Sequence, residues 1–155
     1  MPVRSSTPVP RSGAEGMGQP AIDPGQYQHR REDRIRVTDI DFQLHVNNAV
    51  FAQFFASGRY DFLREVVRPH LPEGYRLLVA GTQISFLAEM VYGPPIETLT
   101  RVAKLGRSSM LLDQLILQAG RAVSRAETTM VFHFAGQSTP WPDAVRAMLG
   151  GEVDG

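Results

Sequence analysis

Two carboxylates, a histidine and two asparagines crowd into the stretch Val37-Thr-Asp-Ile-Asp-Phe-Gln-Leu-His-Val-Asn-Asn-Ala-Val-Phe51. Asp41 is of a type that serves as general base or nucleophile. Asn47 and Asn48 stand where an apolar helix begins. The first amides of a helix have no partner inside it, and the macrodipole makes that end positive. A carbonyl gaining negative charge is stabilised there. A carboxylate next to such an oxyanion site is the minimum equipment for acyl transfer or hydrolysis. The plainer reading is that Asp41 ends a strand and helps cap the helix. Asp39 reads as a solvated or turn-stabilising acid. His45 either holds the turn by hydrogen bonds or serves as a catalytic or substrate-orienting residue. The spacing of Asp39, Asp41 and His45 follows no metal-ligand signature, so neither a metal nor a cofactor is expected.

These side chains need a rigid support. Val46, Val50, Phe54, Gly58, Phe62 and Val66 recur every four residues, and Phe51, Phe55 and Leu63 widen the stripe. That is the helical period, with a face broad enough to demand burial against a sheet. Gln53, Arg59, Arg64 and Glu65 sit mostly off it. Gly58 costs a helix about 1 kcal/mol relative to Ala, which predicts close approach of a neighbouring backbone element.

Upstream, Tyr27 to Thr38 reads as a first strand with Ile35 and Val37 on one face. Downstream, Pro69 and Pro72-Glu-Gly break the chain. Leu77 to Tyr92 reads as a long strand in which Gly81 marks a bulge. Ile96 to Leu105, Met110 to Gln118 and Ala122 to Phe134 read as three more strands, and Trp141 to Leu149 as a short helix. The pattern predicts an α+β domain over residues 27–149: an antiparallel sheet, a meander of four strands after the helix, wrapped around one long helix. Open sheet edges invite a second copy, so a homodimer with a continuous sheet is expected. Residues 1–26, rich in Pro, Gly and Ser, read as a disordered tail, and residues 150–155 as a flexible one.

Balanced charge, 16 basic against 16 acidic residues, argues against nucleic acid as a partner. There is no cysteine, hence no thiol nucleophile and no disulfide. No apolar run suits a membrane span or a signal peptide, and a cytoplasmic location is the expectation. Ser57 has no nearby histidine to activate it, which sets aside a serine triad.

The segment Asp-Ile-Asp-Phe-Gln-Leu-His-Val-Asn-Asn-Ala-Val-Phe resembles the Asp-x-Asp-x-x-Gly-His-Val-Asn-Asn-x-x-Tyr signature of hotdog-fold acyl-CoA thioesterases of the 4-hydroxybenzoyl-CoA thioesterase type. The similarity continues through Phe55 and Arg59, Gly81-Thr-Gln-Ile-Ser-Phe, Leu105-Gly-Arg-Ser-Ser and Pro140-Trp-Pro-Asp-Ala-Val-Arg. The resemblance implies a hotdog dimer, often paired into a tetramer, with active sites at the dimer interface and CoA crossing between subunits. It places the catalytic carboxylate on Asp41 and the carbonyl-polarising amide near Asn48. Asn47 reads as a helix-entrance residue whose amide would also contact the substrate. The substrate would be an acyl-CoA or acyl carrier protein thioester. Arg107, Ser108 and Ser109 form a turn that is either simply solvated or touches the phosphates of CoA. Two departures stand out: Leu44 replaces the glycine before the histidine, and Ala56-Ser57-Gly58-Arg59 lacks the helix glutamate many relatives carry. They leave a non-catalytic thioester-binding module as the alternative. The chain has no hydratase-like Asp-x-Asn-Pro-x-His stretch.

Overall fold

The computed structural model describes residues 22–150. Of the tails expected at residues 1–26 and 150–155, residues 1–21 and 151–155 lie outside the described residues. Residues 22–26 are ordered: Asp23 caps a 3-10 turn at Pro24–Gln26, and Ile22 packs on the outer face of the sheet with Tyr27, Leu99 and Leu115.

The chain runs β1 (His29–Asp33), α1 (Asn48–Phe62), β2 (Arg76–Phe86), β3 (Ile96–Leu105), β4 (Ser109–Gln118), β5 (Arg121–Phe134), β6 (Gln137–Ser138) and α2 (Asp143–Leu149). The sheet is antiparallel, in the order β1-β3-β4-β5-β2, with the short β6 on β5. The curled sheet wraps α1, giving the α+β hotdog architecture. The strands do not form the expected meander. β2 skips β3 and pairs with β5 at the far edge, while β1 takes the place beside β3. Periodicity identifies a strand but not its neighbour, and this was the error. Two bounds also change. β1 stops at Asp33, because Val37–Asp39 form a 3-10 turn and Val37 is exposed. The strand starting at Arg76 stops at Phe86 rather than Tyr92, and Met90 drops into the core. The Gly81 bulge is present, as a register shift between Val79 and Gly81.

Two apolar cores line up under α1. Val50, Phe51, Phe54 and Phe55 pack on Ile96, Ile116 and Ala126. Phe62 and Val67 pack with Leu112, Phe132, Trp141 and Val145 at the other end. Between them lies a polar belt. Buried Gln114 donates from Nε2 to the Phe55 carbonyl and to Thr100 Oγ1, both at 3.0 Å. Here Gly58 meets the sheet: a Cβ on it would lie 2.5 Å from Thr98 Cγ2. The close approach expected of Gly58 is therefore what the missing side chain permits. Past Phe62 the helix widens over Leu63–Val67, and the Arg68 amide reaches back to the Leu63 carbonyl. Pro69 follows in a 3-10 turn. Proline has no N–H to give and crowds the carbonyl four residues back, so a regular helix cannot continue through it.

Candidate functional site

The loop before α1 is built by local hydrogen bonds. The Asp39 carboxylate accepts from the Arg36 amide at 2.8 Å and from the Arg36 guanidinium at 3.3 Å, closing the 3-10 turn. Asp39 is buried, 3% exposed, so it is the turn-stabilising acid and not a solvated one. Ile40 and Val46 then pair as an isolated bridge, with the Asp41 amide donating to the His45 carbonyl at 2.9 Å. Asp41 Oδ1 accepts from the Gln43 amide at 2.9 Å and, at a longer 3.4 Å, from the His45 amide. Asp41 Oδ2 has no partner among the described residues.

Leu44 sits at φ 64° in this turn. That left-handed conformation favours glycine and costs a larger residue roughly 1–2 kcal/mol. Leu44 is 78% exposed, so its side chain gains little in return. The leucine occupies a backbone conformation that a glycine would take more easily.

Asn47 is the N-cap, its Oδ1 accepting from the Ala49 amide at 3.0 Å. The Val50 amide donates to the Asn47 carbonyl. The Asn48 amide, first in the helix, has no acceptor among the described residues. Asp41, His45, Asn47 and Asn48 all line one cleft of about 640 Å³, with Phe51 and the segment Phe86–Met90 as the facing wall. Asp41 and Asn48 thus both border one open space at the positive end of α1. That arrangement suits addition of water, or of the carboxylate itself, to a bound carbonyl.

Sequence reasoning missed Glu89. It lines the cleft, and its Oε2 lies 3.4 Å from His45 Nε2. Reading Leu77 to Tyr92 as one strand concealed it, since only a loop at residues 87–93 folds Glu89 toward His45. Among the described residues no group of three acids or histidines is arranged to hold a metal, and Asp39 is engaged with Arg36. No helix is long and apolar enough to cross a membrane, among the same residues.

Arg107, Ser108 and Ser109 do not line the cleft. They join β3 to β4 at the opposite end of the sheet, beneath α2. The Arg107 carbonyl accepts from the Trp141 amide, the Ser109 carbonyl from Trp141 Nε1, and the Ser108 hydroxyl bonds Ser138. The exposed Arg107 guanidinium has no partner among the described residues.

A sequence model of the thioesterase-like superfamily matches residues 35–149. No curated protein matches the chain. Several solved structures share the fold. One is a thioesterase from Thermus thermophilus complexed with coenzyme A and Zn: 24% identity, 80% of this chain and 92% of that one covered, TM-score 0.71. Another is a protein from Pseudomonas aeruginosa: 25% identity, 84% and 95% covered, TM-score 0.70. A third is a 1,4-dihydroxy-2-naphthoyl-CoA thioesterase from Synechocystis: 16% identity, 79% and 96% covered, TM-score 0.65.

Proposed function

This chain belongs to the thioesterase-like superfamily, and from that premise we propose that it hydrolyses an acyl-CoA or acyl carrier protein thioester in the cleft at the start of α1. The observation that carries the reading is that Asp41, with one carboxylate oxygen unpartnered among the described residues, and Asn48, whose amide has no acceptor there either, line one cavity. The thioester carbonyl lies against the Asn48 N–H. Asp41 takes a proton from a water that attacks the carbonyl carbon, or attacks that carbon itself. The C–S bond then breaks and the departing thiolate takes up a proton; on the second route a water then hydrolyses the acyl–Asp41 anhydride, releasing the acid and restoring the carboxylate. His45, held near Glu89, borders the reacting group, and Asn47 fixes the helix entrance through its cap. The coenzyme A bound by the Thermus relative supports CoA as the carrier.

The same proposal includes a twofold dimer. Among the described residues β2 pairs only with β5, and its other edge is open. Leu78, Val79 and Phe86 on it are exposed apolar residues, as is Tyr60 of the neighbouring helix face. An eleven-residue strand with an uncovered edge and apolar side chains is a ready template for a second copy. Such a dimer reverses one subunit end for end, so the partner's Arg107 turn lies toward the end where Asp41 opens. Arg107 then serves as a contact for the CoA phosphates, with Ser108 and Ser109 shaping its turn.

The test is a panel of acyl-CoA and acyl carrier thioesters with detection of the released thiol, on the wild type and on Asp41→Asn. Turnover by the wild type that collapses in the variant supports the reading. Tight binding without thiol release across the panel favours the non-catalytic module, and wild-type rates in the variant remove Asp41 from the chemistry.

A further inference from the structure

A second cavity of about 350 Å³ lies along the other half of α1, between that helix and the first residues of β2. Its cations are Arg59, Arg64 and Arg68, and Tyr60 and Tyr75 stand beside them. Arg64 is paired with Asp61 and Glu65. Arg59 and Arg68 have no carboxylate partner among the described residues. Arg59 is half-buried, and burial pulls its guanidinium below the ordinary range. A desolvated guanidinium without an acid is unfavourable unless an anion comes to it. The widened turn Leu63–Val67 falls at this cavity, and such π-type turns concentrate at functional sites.

The strand register connects this cavity to the cleft. The cleft includes Phe86, at the end of β2, and the arginine cavity includes Tyr75 and Leu77, at its start. A twofold dimer that closes the open edge pairs β2 with itself in antiparallel fashion. Pairing centred on the strand sets the Phe86 end of one copy against the Arg76 end of the other. The arginine cavity of each subunit then adjoins the Asp41 cleft of its partner.

We propose that the substrate is a thioester whose acyl group ends in an anionic oxygen group, and that Arg59 of one subunit binds that group while Asp41 of the other acts on the thioester. The proposal rests on the thioesterase reading and adds the substrate class and the partner's contribution to it. The cavity walls favour an acyl group over the phosphates of CoA. Ala56, Leu63, Leu77 and Met130 are apolar, and the innermost cation is the half-buried Arg59. That suits a hydrocarbon with an acid at its end better than a hydrated pyrophosphate.

The experiment uses the full-length protein and four thioesters: glutaryl-CoA, the uncharged valeryl-CoA, and the pantetheine thioester of each acyl group. Binding is measured by calorimetry in the Asp41→Asn background, which keeps the thioesters intact, with and without Arg59→Gln. Arg68→Gln, at an exposed position, is the second variant. The expected result is loss of glutaryl affinity by about 10- to 100-fold on removing the Arg59 charge, the usual worth of a charge-assisted hydrogen bond. Valeryl affinity should change less than about twofold, on either carrier. Equal losses confined to the two CoA thioesters assign the arginines to phosphate and overturn the proposal, as does no loss anywhere. Absence of wild-type turnover would sink the thioesterase reading alone, because binding is read separately. Shared sites are tested by mixing: Asp41→Asn and Arg59→Gln chains co-expressed as mixed dimers regain one intact site if the residues come from opposite subunits. Failure of the mixed dimer to hydrolyse glutaryl-CoA faster than either variant overturns the shared site.

Discussion

The entrance of α1 and the Gly106–Ser109 turn are both tight connections rich in polar groups, yet they are finished to different degrees. At the turn the carbonyls of Gly106 to Ser109 are all taken up. Trp141 donates through its amide and its indole, Arg146 donates to the Gly106 and Arg107 carbonyls, and Ser138 bonds Ser108. Trp141 also stacks on Phe132, with ring centroids 5.1 Å apart. At the entrance one carboxylate oxygen of Asp41, the Asn48 amide and a left-handed Leu44 remain uncompensated. Groups left unsatisfied beside a cavity mark the place a ligand is meant to complete. Satisfied ones mark a joint, and a joint offers at most the side chain projecting from it, here Arg107.

That contrast can be broken by substitution. Asp41→Asn should lower turnover by about 10²–10⁴-fold, the range of general base catalysis. Its melting temperature should stay close to wild type, since the side-chain oxygen that accepts from Gln43 is retained. A large loss of stability would make Asp41 part of the joint after all. Trp141→Ala should do the opposite: a loss of about 3–5 kcal/mol in denaturant unfolding, with kcat preserved in the fraction that stays folded. Arg107→Ala should raise KM for an acyl-CoA by a few-fold, about 0.5–1 kcal/mol for an exposed charge contact, and leave the matching pantetheine thioester unaffected. Equal KM changes on both would return Arg107 to the solvent. Leu44→Gly should be the smallest effect and a stabilising one, about 0.5–1 kcal/mol, from relief of the left-handed strain less the added freedom of glycine when unfolded. Destabilisation on chemical unfolding would show that the exposed leucine is held by contacts a single copy lacks.

Much of this was legible in the residues. The stripe from Val50 to Phe62 gave the buried helix, Gly58 its close approach, Gly81 the bulge, and the Asp41 to Asn48 spacing the cleft. Strand order was not legible, because alternation reports which face is buried and nothing about which strand lies alongside. The signature's glycine at the position of Leu44 was the one hint of a positive φ there, and the leucine itself masks it, since leucine rarely adopts one. Arg59 and Arg64 fall off the apolar stripe, and nothing in their spacing shows that β2 makes part of that side of the helix a cavity wall.

The contact between Gly58 and Thr98 fixes the helix lengthwise like a detent. Sliding α1 by one turn, about 5.4 Å, would drive the phenyl ring of Phe54 or Phe62 into the gap that only a hydrogen atom fills now. The chain can therefore drift in sequence at either end of the rod without losing alignment. The distance from Asn48 to Arg59, about 16 Å along the axis, is set by rise per residue and held there.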